Sequence, residues 1–217
     1  MEEPARGPAG VWAVVVAAGG ATRFGRLKQF ESLAGRPVLD WSVAAARSVA
    51  GGLVVVVPAP ETARVCGAEA VVAGGPTRSA SVRAGLDVVP GDAEVVVVHD
   101  AARPLAGADL FRAVVGALVP GVDGAVPGLP VAETVKEVAG DRVVTTLDRS
   151  RLVTVQTPQA FRADRLRAAH RAGGDATDDA GLVEDAGGTV AVVPGDPRNL
   201  KLTEPSDLAV LEALLRS

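Results

Sequence analysis

Short runs in which every residue is apolar recur along this chain, most of them built from valine. They are Val11–Ala18, Leu53–Val57, Val95–Val98 and Val190–Val193, with a weaker one at Ala125–Val126. A strand with one wet face alternates apolar and polar residues. A strand that is apolar throughout is buried on both faces, as in a parallel sheet covered on each side. Helical patterns separate these runs. Pro37–Val49 sets Val38, Trp41 and Ala45 at helical spacing, with Pro37 suited to a first turn. Ser79–Val88, Ala108–Leu118, Asp164–Ala172 and Pro205–Leu215 show the same period. Alternating strand and helix predicts an α/β sandwich with right-handed crossovers.

One segment departs from that rhythm. Val131–Val155 contains two alternating stretches, Val131–Val138 and Arg142–Leu147, around Gly140-Asp141. Turn residues between period-two stretches predict a β-hairpin. A lone hairpin is marginal in water, so residues 131–155 read as an arm that packs on something, for which a partner subunit is a candidate. The expected organisation is a flexible tail at residues 1–10 and one domain over 11–217 that carries the arm.

Composition narrows the partners. Of 217 residues, 26 are acidic and 22 basic, a net charge of −4. Duplex nucleic-acid binders carry a strong basic excess, so an anionic ligand here needs a local cationic cluster. The longest apolar run, Val11–Ala18, is too short to span a bilayer. Cys66 is the single cysteine, which rules out an internal disulfide and a multi-cysteine metal site; a reducing cytoplasm fits. Met1–Gly10 lacks the basic-then-apolar pattern of a secretion signal.

Ligands of open α/β sheets sit beyond the carboxyl ends of the strands, so the residues after each run carry the functional information. The first run leads into Ala17-Ala18-Gly19-Gly20-Ala21-Thr22-Arg23-Phe24-Gly25-Arg26-Leu27-Lys28-Gln29. Small residues permit close backbone approach, and Arg23, Arg26 and Lys28 supply cations suited to a triphosphate. A surface loop with solvated charges has the same composition. The segment has neither a Walker loop nor a dinucleotide fingerprint. His99-Asp100-Ala101-Ala102-Arg103-Pro104 follows the third run. Asp100 there suits a Mg²⁺ that bridges phosphates, or else caps the next helix. Arg103 suits bidentate phosphate binding, while His99 reads as a hydrogen-bonded structural residue. Gly74-Gly75-Pro76-Thr77-Arg78-Ser79-Ala80-Ser81 opens a helix, either as a ligand-facing loop or as a simple cap. Lys201 follows the last run, and His170 lies in a polar helix with no visible role.

Taken in order, these segments resemble the 2-C-methyl-D-erythritol 4-phosphate cytidylyltransferase family of the non-mevalonate isoprenoid pathway. The likeness runs from Ala17-Ala18-Gly19 through Lys28-Gln29, Gly74-Gly75 with Arg78 and Ser81-Val82, and His99 to Pro104. It continues through Glu133-Thr134-Val135-Lys136, Arg149, Gln156-Thr157-Pro158-Gln159-Ala160-Phe161, Thr177-Asp178-Asp179-Ala180 and Asn199-Leu200-Lys201. The His-Asp-Ala-Ala-Arg-Pro and Gln-Thr-Pro-Gln elements are the specific ones.

The resemblance implies a Rossmann-like three-layer sandwich, with a mostly parallel sheet and a protruding β-hairpin arm. It implies transfer of CMP from CTP to 2-C-methyl-D-erythritol 4-phosphate, with release of pyrophosphate. Ala17, Ala18, Gly19, Gly75 and Ser81 would hold cytosine and ribose. Arg23, Lys28 and Lys201 would contact the triphosphate, and Asp100 would bind Mg²⁺ or another divalent cation. Arg103, Thr134, Arg149 and Thr157 would hold the acceptor, with Thr134 and Arg149 completing a partner's site in a homodimer. Three positions depart from the family's usual residues: Ala21 stands for a glycine, Leu27 for the proline before Lys28, and Pro76 for a polar residue. The first loop is also about two residues shorter. Alternatives within reach of these motifs are a ribitol 5-phosphate cytidylyltransferase and a non-catalytic nucleotide-binding module.

Overall fold

The structure, a computed structural model, describes residues 7–19, 24, 27–58 and 67–216. The first strand, β1 (Val11–Val16), is the middle of the sheet and pairs in parallel with β4 (Gly52–Val57) on one side and β6 (Val95–Asp100) on the other. β5 (Ala70–Ala73) extends the β4 side, again in parallel. On the far side, β11 (Gln159–Arg162) runs antiparallel between β6 and β7 (Gly124–Pro130). β7 also takes β12 (Val190–Pro194) in parallel and β10 (Val153–Val155) antiparallel. The result is an eight-stranded, mostly parallel sheet.

The all-apolar runs are explained by where alternate residues go. In β1, Val11, Ala13 and Val15 enter one core and Val14 the other. In β4, Leu53, Val55 and Val57 face the first core, while Val54 and Val56 face the second. The first core is closed by α1 (Val38–Arg47) and α3 (Ala108–Gly116), through Leu39, Val43, Phe111 and Val114. The second is closed by α2 (Arg78–Leu86), α4 (Ala163–Ala172) and α5 (Asp179–Asp185), through Val82, Leu166 and Leu182. Each strand valine or leucine so buried is worth about 1.5–3 kcal/mol. A third cluster joins Leu33 of a two-residue strand, β2 (Ser32–Leu33), to Leu211 of α6 (Asp207–Arg216) and to Leu202. β2 pairs with β3 (Arg36–Pro37).

The hairpin forms, with a narrower extent than the sequence suggests. β8 (Lys136–Ala139) and β9 (Arg142–Thr146) pair around Gly140, whose φ of +61° suits glycine. Val131–Val135 is not in a strand, and Val153–Val155 belongs to the main sheet as β10. Residues 7–10 already lie against the fold, since the Gly10 carbonyl accepts from Glu94 and Val95. The rest of the expected tail lies outside the described residues. Among the described residues, no helix is long and apolar enough to cross a membrane.

Candidate active site

The chain runs outward from β1 through β4 to β5, then returns to β6 on the opposite side of β1. Two neighbouring strands whose connections leave in opposite directions open a crevice at their carboxyl ends. A cavity of about 310 Å³ lies there, lined by Ala17, Ala18 and Gly19 after β1, Gly75 and Ser81 from the start of α2, and Asp100 at the end of β6. Lys28, Gln29, Arg78 and Lys201 complete its charged and polar wall. Backbone closeness explains the paired glycines before α2. A Cβ on Gly74 would sit 2.2 Å from that of Ala18, and one on Gly75 would sit 2.5 Å from that of Ala80. Thr77 caps α2, accepting from Ala80 N–H at 3.1 Å. The Ser81 hydroxyl fixes the same turn by donating to the Thr77 carbonyl at 2.9 Å and accepting from Gly75 N–H at 3.2 Å.

Asp100 is the electrostatic centre. Its carboxylate meets Arg78 Nε at 3.1 Å and Lys201 Nζ at 2.6 Å. Burial works against its ionisation, but Arg78 and Lys201 outweigh burial and hold the carboxyl well below its ordinary range. Arg78 in turn bridges to Asp179, its Nη1 lying 2.8 Å from a carboxylate oxygen that is wholly buried. Burial opposes the guanidinium charge as well, and the two carboxylates overcome it. Asp179 is shared with His170, whose Nε2 lies 3.0 Å away. His170 is therefore a buried partner in this network, contrary to the expectation that it has no role.

A second, smaller cavity of about 90 Å³ adjoins the first and shares Arg78, Asp100 and Lys201 with it. Its other walls include Arg103, Thr157, Gln159 and Asp178. Three buried polar atoms of this lining have no hydrogen-bond partner: Arg78 Nη2, Arg103 Nε and Gln159 Oε1. Among the described residues these are two cationic donors and one acceptor left unpaired. Burial lowers the Arg103 pKa and Asp100 partly offsets that effect.

Several motif residues hold this wall rather than touch the cavity with free groups. His99 is fully buried, and desolvation pushes its pKa down to about 4, so it stays neutral. Its Nε2 faces the Arg103 carbonyl at 3.2 Å, which assigns the proton to Nε2. Nδ1 then accepts from the Thr157 hydroxyl at 3.2 Å, and that hydroxyl oxygen accepts from Asp100 N–H at 3.0 Å. Gln156 and Asn199 anchor the loop that returns Lys201 to the cleft. Gln156 Nε2 donates to the Asp196 carbonyl at 2.9 Å, and Asn199 Nδ2 donates to the Thr157 carbonyl at 2.9 Å. Arg103 Nη1 donates to the Asn199 carbonyl at 2.8 Å. Lys28 Nζ donates to the Leu202 carbonyl at 2.6 Å, just beyond Lys201.

Of the residues singled out from sequence, Ala17, Ala18, Gly19, Lys28, Gly75, Ser81, Asp100 and Lys201 line the larger cavity. Arg103 and Thr157 line the smaller one. Thr134 and Arg149 line neither. Both are exposed on the arm, where Arg149 donates to the Ala132 carbonyl. Arg23, Arg26 and Ala21 lie outside the described residues. Sequence reasoning assigned no site role to Arg78, Gln159, Asp178 or Asp179. The Thr-Asp-Asp run and the charge inside the Gly74–Ser81 turn were the available signals.

Two adjoining cavities lined by lysine and arginine, at the topological switch of a mostly parallel sheet, fit a nucleotidyltransferase. The class becomes a family on comparison with known proteins. The family model described as IspD, 2-C-methyl-D-erythritol 4-phosphate cytidylyltransferase, matches residues 11–217, and the chain belongs to that family. It is 43% identical over 233 residues to the 2-C-methyl-D-erythritol 4-phosphate cytidylyltransferase of Streptomyces coelicolor, covering 97% of this chain and 86% of that protein. It is 44% identical over 225 residues to a bifunctional enzyme IspD/IspF of Solidesulfovibrio magneticus, covering 93% of this chain and 56% of the relative's length. Among solved structures, the 2-C-methyl-D-erythritol 4-phosphate cytidylyltransferase of Thermus thermophilus superposes with a TM-score of 0.78 at 37% identity, covering 94% of this chain and 98% of that one.

Proposed function

We propose that this chain transfers CMP from CTP to 2-C-methyl-D-erythritol 4-phosphate, giving 4-diphosphocytidyl-2-C-methyl-D-erythritol and pyrophosphate. One observation carries the reading: two cavities meet at a shared wall of Arg78, Asp100 and Lys201. The larger takes the nucleotide and the smaller takes the acceptor phosphate, with Arg78 Nη2 and Arg103 Nε as its unpaired donors. An oxygen of the acceptor phosphate attacks the α-phosphorus of CTP. The bond from that phosphorus to the oxygen bridging to the β-phosphorus breaks, and its electron pair leaves with pyrophosphate.

A phosphate monoester has its second pKa near ~6, so the nucleophile is largely a dianion at neutral pH and needs no general base. Neutral, buried His99 agrees with this. What the residues must supply is positive charge to offset the repulsion between two anions and the charge that develops in transfer. Lys28 and Lys201 are assigned to the triphosphate, joined by Arg23 as a family expectation. Arg103 and Thr157 are assigned to the acceptor side.

A divalent cation such as Mg²⁺ would be held by Asp100, the one carboxylate among the described residues of the larger cavity's lining, in exchange for its contacts with Arg78 and Lys201. Mg²⁺ commonly takes one or two protein carboxylates and fills its shell with phosphate oxygens and water. When bound it neutralises phosphate charge.

The proposal includes a homodimer in which the arm lends Thr134 and Arg149 to the partner's acceptor site. The arm's Val138, Val143 and Val144 are each 60% exposed, which favours a covering partner. Pyrophosphate release with CTP and Mg²⁺, assayed against a panel of polyol phosphates, tests the reaction. Turnover is expected with 2-C-methyl-D-erythritol 4-phosphate. Preference for ribitol 5-phosphate would reassign the acceptor, and no turnover with any acceptor would leave a binding module.

A further inference from the structure

At the other end of α2 from the catalytic cleft, a cavity of about 580 Å³ lies between α2 and α4. It shares no lining residue with either of the cavities described above. Among the described residues, three guanidinium groups line it, those of Arg83, Arg167 and Arg171, against the carboxylate of Asp87. Arg83 donates to the Gly174 carbonyl at 3.1 Å, and its other nitrogen lies 3.9 Å from Asp175. Arg167 donates to the Val89 and Pro90 carbonyls at 3.0 and 2.7 Å. Carbonyl acceptors orient a guanidinium without neutralising it, and five N–H donors leave others for a ligand. Arg171, exposed in the last turn of α4, makes no hydrogen bond or ion pair among the described residues.

His170 lines the same cavity and is only 4% exposed. Its Nε2 is committed to Asp179 at 3.0 Å, while its buried Nδ1 has no hydrogen-bond partner. Three guanidinium groups, of which only Arg83 has an ion pair among the described residues, call for a ligand with oxygen atoms and negative charge. The volume exceeds that of a simple ion and suits a small organic molecule.

We propose that this cavity is a second anion site, which takes the phosphate group of a small phosphorylated molecule through Arg83, Arg167 and Arg171, beside the His170 ring. Asp179 holds the other side of the His170 ring, at Nε2. The charged groups around it are then Arg83 and Asp87 of α2, Arg167 and Arg171 of α4, and Asp179 of α5. The site does not depend on which reaction the cleft performs.

The chain has two histidines, so imidazole NMR signals report on this site with little overlap. In enzyme saturated with CTP to occupy the cleft, titration with inorganic phosphate, and separately with glycerol 3-phosphate, is expected to shift the His170 resonances saturably and to leave those of His99 in place. Sodium chloride of matched ionic strength produces no such shift. Arg171→Glu, at an exposed position, keeps the fold by circular dichroism and weakens the response about tenfold or more through loss of a charge-assisted contact. No saturable shift, a shift matched by chloride, or an unchanged response in Arg171→Glu would each overturn the proposal.

Discussion

Lys28 reaches the Leu202 carbonyl at 2.6 Å, and Lys201 reaches Asp100 at the same distance. Both ammonium groups are thus anchored beside the cleft before any ligand arrives, which lowers the cost of organising them in the reaction. Lys28→Ala removes one such charge without touching the sheet. Turnover should fall by about 10²–10³, the usual loss for one preorganised group, while the circular dichroism spectrum and melting temperature stay near those of the parent. Turnover equal to the parent's would remove Lys28 from the mechanism. Arg149 presents the opposite case, exposed on the arm with its side chain donating to the Ala132 carbonyl. Arg149→Ala is expected to weaken use of the polyol phosphate and to leave CTP affinity within a few-fold. Separate titration of the two ligands checks this, and an equal loss of both counts against a role confined to the acceptor.

The edge of the sheet depends on a local ion pair. Glu69, just before β5, accepts from Leu53 N–H at 2.6 Å and pairs with Arg47 of α1 at 2.5 Å, tying strand to helix. Burial raises the pKa of Glu69, but the hydrogen bonds from Arg47 and Leu53 prevail and lower it. A carboxylate with a depressed folded-state pKa adds stability that is complete above its unfolded value, here 4.5, and lost as pH falls through the folded value. Urea denaturation should therefore show a decline in stability below about pH 4.5 that is shallower in Glu69→Gln.

At this same scale the limits of reading from sequence are clearest. β1, β4 and β6 were legible because both faces are buried and no polar residue interrupts the run; β12 was legible from its unbroken apolar run alone, since Val192 is 56% exposed. β11 and α5 were not. β11 has four residues and begins and ends on polar side chains, and α5 has seven residues with Gly181 inside it. Both are set by what they pack against rather than by their own pattern. Arg78 illustrates the same limit in the site. Its charge is plain in the sequence, but its carboxylate partners lie 22 and 101 positions away, and only the topology brings them together.

For the whole molecule, the arm makes a prediction no single chain can meet. If Arg149 serves the partner's site, a Lys28→Ala subunit and an Arg149→Ala subunit together rebuild one complete site, with Lys28 from one chain and Arg149 from the other. Co-refolding the two impaired variants in equal amounts, assayed at limiting polyol phosphate, should then restore about a quarter of parental activity, because half the dimers are mixed and each carries one intact site. Activity no greater than the sum of the separate variants would place the arm's residues in their own chain's cleft or remove them from catalysis.

The wall common to the two catalytic cavities has a thermodynamic corollary. Whatever fills one side pulls on Arg78, Asp100 and Lys201 and so changes how they greet a guest on the other. Such influence is mutual by necessity, so on the proposed assignment nucleotide and acceptor load with synergy or antagonism of equal size in either order. A molecule bridging both chambers would draw on that linkage, gaining from attachment at each end what neither half obtains alone.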